Sequence, residues 1–577
     1  MNAASQWPSP AYVIFDTNQT VMGHSPEGLA LPDKRTSIWL ALKNPVFKGY
    51  WLAALVSGTC VAAHNTAAFS VLGQESDSAI LISLMSTLSS LPFALFTLPA
   101  VALADMAERK KILYGTSTWQ ALIALCLAIL ALTDSLSPSI ILRSVFLFGI
   151  GFAFASPASA SVEVEMVPPE HLASANTLGG LQMNIGGMIG PLIGGFLVSV
   201  SGPSSAFAAN ALGFLLLLLA ISRWKRSERQ AKTTPEDFFA TIETAVRYVR
   251  YTPGIKVILA RLALFSFFIS IIPALMPVVG LKELHLDASQ LGYLFTAMAT
   301  GSVAAAVCIM PLARVRLSPN RLTLYANVLL VLNLFLMAFV NWPYAFLLLA
   351  AFGGAGWTLS ATELWIAAQR AMPDWARGRL NATIVMCSQA AAALGGVIWG
   401  SAAATAGVVP TFLGAGLLAS VTLAIVHFAV KKRLSIDFAA DLNLEPAAVT
   451  IFSHDLDPMR LSQAEENPVS IVTEFAIDPR NRPQCTDLMR EIRLAYLRNG
   501  ARNWHLYEDG RRPNRFQMEV VASSWNEYHR QNERLTKDEK NLLDKLASLR
   551  LEPAPLAESI RVSIDKEVIK KKSTSGQ

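Results

Sequence analysis

Leu98-Pro99-Ala100-Val101-Ala102-Leu103-Ala104-Asp105-Met106-Ala107-Glu108-Arg109-Lys110-Lys111 is an apolar run that ends in a carboxylate and a knot of cations. Upstream it continues uncharged to Ala79. A helix rises about 1.5 Å per residue, so roughly 20 such residues cross about 30 Å of hydrocarbon. The segment reads as a membrane span whose basic end is held on one side of the bilayer.

The same pattern recurs on either side of it. Spans are expected at 50–72, 79–103, 112–132, 140–164, 172–200 and 205–221, then at 255–279, 288–312, 322–340, 345–368, 379–404 and 411–430. The chain is 53% hydrophobic and only 16% charged, and the apolar residues are clustered, which places it among membrane proteins. Cations gather in alternate loops: Arg109-Lys110-Lys111, Arg223 to Arg226, Arg314 with Arg316 and Arg321, Arg370 with Arg377 and Arg379, and Lys431-Lys432-Arg433. The intervening loops, such as Gln74 to Asp77, Thr133 to Ser135 and Asn341 to Pro343, are neutral or acidic. By the positive-inside rule both termini are cytoplasmic, which requires an even number of spans and accommodates twelve. The expected location is the cell inner membrane.

The stretch 223–253 divides the block into two sets of six, the plan of two parallel halves. Within it, Phe238, Phe239, Ile242, Ala245, Val246 and Val249 share one face of an amphipathic helix on the cytosolic surface. The halves match weakly: Phe148-Gly149 and Pro169 against Phe352-Gly353 and Pro373, and Gly186-Gly187 against Gly395-Gly396.

A formal charge of +6 suggests nucleic acid, but the cations lie in short loops beside apolar spans and set orientation instead. Cys60, Cys126, Cys308, Cys387 and Cys485 are scattered singly, with neither metal spacing nor a disulfide pattern. No metal, cofactor or catalytic group is expected. The first 44 residues are polar and proline-containing and read as a flexible cytosolic tail, not a targeting peptide.

Several polar residues carry mechanism. Asp105 at a helix end beside Arg109 and Lys110 can form a charge-assisted gating latch between neighbouring helices; the competing reading is that these charges only set topology. Gly186, Gly190, Gly194 and Gly195 place small residues at four-residue spacing, which lets helices approach closely, and Pro191 frees a backbone carbonyl. Arg143, Glu363, His64, Asn65 and Arg261 lie near or inside the hydrocarbon, where polar groups are costly unless they pair or line a wet cavity. They are the transport and proton-coupling candidates, read against snorkelling, helix-end or interhelical hydrogen-bonding roles.

After residue 433 the composition turns ordinary for soluble protein. Following a linker at 434–467, the order of strand 469–477, helix 482–498, hairpin 502–507 and 515–522, helical stretch 525–549 and strand 559–564 is that of two strand-helix-strand units. The expected fold class is thus an all-α membrane protein, twelve helices as 6+6, with a C-terminal α+β ferredoxin-like cytosolic domain. The domains are 1–44, 45–222, 223–253, 254–433, 434–467 and 468–577.

The 98–111 stretch resembles the loop signature of the major facilitator superfamily, and 186–195 resembles that family's antiporter motif. Arg143 resembles its basic residue associated with proton transfer. Ala155-Ser156-Pro157-Ala158 and 372–379 are similar to the exporter branch that includes enterobactin-type siderophore exporters. The resemblance implies export of a small molecule by proton antiport and alternating access, with lipid bilayer, substrate and protons as partners. The tail resembles the dimeric alpha/beta-barrel domains of antibiotic-biosynthesis monooxygenases, which implies a homodimer through this domain. Import of a sugar or organic acid, or a membrane-tethered enzyme whose tail does the chemistry, are the alternatives.

Overall fold

The computed structural model describes residues 37–76, 78–224, 238–429, 435–440, 442–447, 467–552 and 557–563. The expected tail up to residue 36, the 225–237 part of the linker, Lys431, Lys432 and Arg433 lie outside them. The first six helices are α1 (Pro45–Glu75), α2 (Ala79–Met106), α3 (Arg109–Leu132), α4 (Pro138–Glu165), α5 (Leu172–Ser201) and α6 (Pro203–Arg223). The amphipathic helix follows as α7 (Phe238–Tyr251).

The second half begins with α8 (Pro253–Ile269) and α9 (Ile271–Val278), then α10 (Ala288–Ala304) and α11 (Met310–Arg316). It continues with α12 (Pro319–Phe339), α13 (Pro343–Arg370), α14 (Arg377–Ala406) and α15 (Val408–Ala424). Helices α8 and α9, broken at Ser270, together make one crossing that a wide-turned segment Val279–Glu283 ends, and α10 and α11 make another, joined by a wide-turned segment Ala305–Ile309. Among the described residues eleven helices are long and apolar enough to cross a membrane, and α15 is shorter, extended by a wide-turned segment Ile425–Ala429.

Local sequence explains the boundaries. Proline opens α1, α4, α6, α8, α12 and α13, where a missing N–H costs nothing and φ is preset. The Asn44 side chain accepts hydrogen bonds from the Val46 and Phe47 N–H groups and caps α1. Gly202 and Gly407, at φ of +78° and +91°, make the tight joints after α5 and α14 at matching places in the two halves. Residues 37–44 differ from the expected tail. The Ala41 N–H donates to Ser174 of α5, and the Asn44 amide donates to the Met166 carbonyl, so this segment packs against the first half.

The tail domain holds β1 (Val469–Ala476), α16 (Arg482–Asn499), β2 (Asn503–Glu508), β3 (Arg515–Ala522), α17 (Trp525–Glu533), α18 (Lys537–Leu549) and β4 (Ala557–Val562). The strands form one antiparallel sheet in the order β2-β3-β1-β4. Period-two alternation puts Phe475, Met518, Val520 and Trp504 on one face, against Met489, Ile492 and Leu546 of the helices. The expected helical stretch 525–549 is broken, because Thr536 and Glu539 form a capping box that starts α18 afresh.

This domain docks on the second half. Tyr251 of α7 packs against the tail core. The Arg534 guanidinium lies 4.9 Å from the centre of the Trp375 ring, in the turn between α13 and α14, and Tyr248 meets the same ring edge-on at 5.7 Å. Cation–π and aromatic pairs are each worth about 1 kcal/mol when partly desolvated. Trp375→Leu should therefore raise hydrogen exchange in α7 and α16 by about tenfold, since about 1.4 kcal/mol is a factor of ten. Unchanged protection would show that the ring does not hold the tail.

Candidate functional site

The two halves meet along two seams, and glycine decides both. On α5 a Cβ at Gly190 would fall 2.5 Å from Ala62 Cβ and 2.6 Å from the Thr59 carbonyl oxygen, and one at Gly194 2.5 Å from the Ala63 oxygen. Gly186 likewise faces the backbone of Gly58 and Thr59. These glycines let α5 lie against α1 of its own half. One residue on, Gly195 turns outward to the other half, where a Cβ would meet the Ala288 oxygen at 2.6 Å. Gly292 of α10 returns the contact onto the Pro191 carbonyl. Hydrogen bonds follow this seam: Thr296 to the Met188 carbonyl at 2.9 Å, and Ser199 with Ser289 at 2.8 Å.

The second seam repeats the first. On α14, Gly395 lies against Phe267 and Ser270 of its own half, while Gly396 and Gly400 lie against Thr87 and Ser83 of α2. Thr87 donates to the Ala393 carbonyl at 3.4 Å, as Thr296 does to Met188. Gly190 and Gly395 stand at equal distances from Gly202 and Gly407, so the true counterpart of Gly395 is Gly190. The sequence match to Gly186 is one helical turn out of register.

These contacts run from mid-bundle to the end remote from the tail domain. Lys282 adds a bond there, from its ammonium to the Gly73 carbonyl at 2.9 Å. Toward the tail end the α5–α10 seam parts: Thr177, Gly180 and Asn184 continue its α5 face and are exposed, as are Ala304 and Val307 opposite. The α2–α14 contact is the most extensive between any two elements, and α7 lies against both of its helices.

The structure separates the sequence-predicted polar residues. His64 is buried between Phe148 and Phe207, with ring centres at 4.8 and 4.7 Å, inside the first half. Its neighbour Asn65 is exposed. Arg261 bonds to Asn320 and, at 2.9 Å, to Thr323, and so ties α8 to α12 within the second half. Glu363 is buried and accepts from Arg314 Nε at 2.6 Å. Arg143 is exposed on α4 near the end remote from the tail. Arg109 pairs with Glu165 at 2.7 Å, and Lys110 donates to the Ser222 and Trp224 carbonyls, so both bind within the first half. The Asp105 side chain lies outside the described residues.

Glu163 gains weight that its position in the sequence did not give it. It is half-buried on α4, forms no ion pair among the described residues, and its carboxylate sits 3.2 Å from where Gly179 of α5 would carry a Cβ. The signal was that glycine, which leaves room for the carboxylate between two helices. In the tail, His505 stacks on exposed Tyr507 while His529 packs against Trp525 of α17, so the two histidines serve separate contacts.

Comparison with known proteins places this geometry. The family described as transmembrane secretion effector matches residues 36–568. Macrolide efflux protein A of Streptococcus pyogenes is 26% identical over 254 residues, 43% of this chain. The chain spans only 63% of the length of that relative. The enterobactin exporter EntS of Salmonella choleraesuis (strain SC-B67) is 24% identical over 347 residues, 59% of this chain and 81% of that protein. Among solved structures, a bacterial homologue of the human lysosomal transporter Spinster superposes with a TM-score of 0.53 at 14% identity, covering 68% of this chain and 98% of that one. The matched family spans both helical halves and the tail domain, and the chain belongs to it: a transmembrane secretion effector of the major facilitator superfamily.

Proposed function

We propose that this protein is a secondary exporter that moves a small amphipathic molecule out of the cell against protons, by alternating access between its halves. The observation that carries the reading is the pair of matching glycine seams, of which the α5–α10 seam is zipped only toward one end. Two rigid halves that close at one end through interchangeable seals are suited to rocking. The efflux relatives support the direction, and the clustering of loop cations at the tail end supports a cytoplasmic tail. On this reading α15 with its extension is the twelfth span, and the tail has a ferredoxin-like fold and a docking role.

Glu163 is the proton carrier we assign, with Arg143 and Asn65 as exposed polar groups on the inner helices. Glu163→Gln should cut proton-driven uptake of rhodamine 6G into energised everted vesicles at least tenfold, while dye–dye exchange without a gradient persists. Equal loss of both would remove Glu163 from coupling. For the function itself, a deletion strain should accumulate the dye, complementation should reverse this, and a protonophore should erase the difference. Dye levels indifferent to the proton gradient would overturn antiport.

A further inference from the structure

We infer that the cavity between the tail domain and the second half binds a small organic cation with an apolar body, and that this ligand clamps the tail in place. The inference rests on the docking geometry and is independent of the export reading.

The cavity holds about 180 Å³ where four separate stretches of chain meet: the joint between α7 and α8, the turn after α13, the segment before the tail domain, and the ends of α16 and α18. Drug-sized sites start at roughly 300 Å³, so this one has room for a single small molecule. Residues 442–447 are tied over it as a strap. The Asn443 N–H donates to Asp538 at 2.8 Å, the Lys537 N–H to the Glu445 carbonyl at 2.9 Å, and the Ala447 N–H to the Leu535 carbonyl at 2.8 Å. Leu442 and Leu444 of the strap join Pro253 and Pro373 of the membrane half in a mainly apolar lining.

Charge selects the ligand. Glu539 lines the cavity but is already satisfied: Arg498 Nε donates to it at 2.5 Å, and the Asn499 amide and the Thr536 N–H each at 2.9 Å. Arg498 and Glu539 cancel as a neutral pair, and Lys537 is likewise paired with Glu445. Asp538 differs. It lines the cavity half-buried, forms no ion pair among the described residues, and gives only its Oδ2 to the Asn443 N–H. A carboxylate left over at an apolar cavity suits an ammonium, because charge-assisted hydrogen bonds are roughly twice as strong as neutral ones. The Thr252 hydroxyl oxygen, in the same wall, is buried with no hydrogen-bond partner among the described residues and can accept a second ammonium proton. Tyr248 adds an aromatic ring, which also favours a cation. A ligand seated here touches the start of α8, the turn after α13 and the tail at once, so it binds the docked arrangement and stabilises it by mass action.

Hydrogen exchange on the full chain in nanodiscs tests this with three probes of similar shape and different charge: phenethylamine, phenethyl alcohol and hydrocinnamate. Phenethylamine should protect α7, α16 and the start of α18 saturably, by about tenfold at ten times its Kd. Phenethyl alcohol should bind at least tenfold more weakly, and hydrocinnamate should have no effect. Asp538→Asn should weaken phenethylamine at least tenfold and leave the alcohol unchanged, with the same protection as the parent before any probe is added, because the amide oxygen still accepts from Asn443. Leu444→Trp, which fills the cavity, should abolish the effect of every probe while the tail stays docked. Three results would each overturn the inference: no saturable protection of these elements by phenethylamine, equal binding by the parent and Asp538→Asn, or a preference for hydrocinnamate. Protection confined to the membrane helices would mark the amine as cargo in the transport path, and would overturn it as well.

Discussion

Gly195→Val should reduce export by on the order of a hundredfold while leaving the protein inserted and folded. A Cβ at this position already falls 2.6 Å from the Ala288 oxygen and 2.9 Å from Ser289 Cα, so the larger side chain forces the α5–α10 seal apart. Overpacking of this kind costs about 1–3 kcal/mol, and here the cost falls on the closed seam alone. At about 1.4 kcal/mol per tenfold, the population closed at this end drops by up to about a hundredfold. Maleimide labelling at Ser199→Cys should rise in parallel. Gly187→Ala is the control: nothing lies within 4 Å of its Cβ, so it should transport normally. Normal export by Gly195→Val would mean that the seam does not have to close in the cycle.

Arg314→Ala should destabilise the second half by about 3–5 kcal/mol, the cost of leaving a buried charge without its partner. Glu363 has 4% side-chain exposure and depends on the Arg314 Nε for its short bond, so removal of the guanidinium strands a carboxylate between α11 and α13. Thermal unfolding in detergent should show the largest loss for Arg314→Ala alone. Arg314→Ala combined with Glu363→Gln should recover most of it, because a neutral amide is far cheaper to bury than a carboxylate. An unaltered unfolding temperature in the single variant would show that water or another cation reaches Glu363. This pair is a brace inside one half, so export by the double variant should survive, in contrast to Glu163→Gln.

The positions of the membrane helices were legible in the sequence because hydrophobic length is a local property: all the expected crossings have helical counterparts, within a few residues at their ends. The tail's strands and first helix were legible for the same reason, since alternation and amphipathic period are local. What sequence could not supply was partnership. Gly186, Gly190, Gly194 and Gly195 look alike in a string, yet the first three face α1 and only Gly195 faces the opposite half. His64 and Asn65 are adjacent in sequence and opposite in environment, one caged by phenylalanines and one open. Arg261 read as a cavity residue from its depth alone, and Asn320 and Thr323, far along the chain, make it a strut. The repeat as read from the sequence is one residue out at α4 and α13, where the helix starts Pro138 and Pro343 stand 205 apart, and a turn out at α5 and α14, since glycines four apart give the same pattern in either register.

The tail is fastened through α7 and the turn carrying Trp375; that turn belongs to the second half, and α7 lies against α8 and α14 of the same half and touches α2 of the first. In the proposed alternating-access cycle it travels mainly with the second half, as a passenger on one arm of the rocker. A protein that gripped the tail and the Arg109–Glu165 corner of the first half together would act like a bolt across a swinging door, stopping the proposed pump without touching its cargo path.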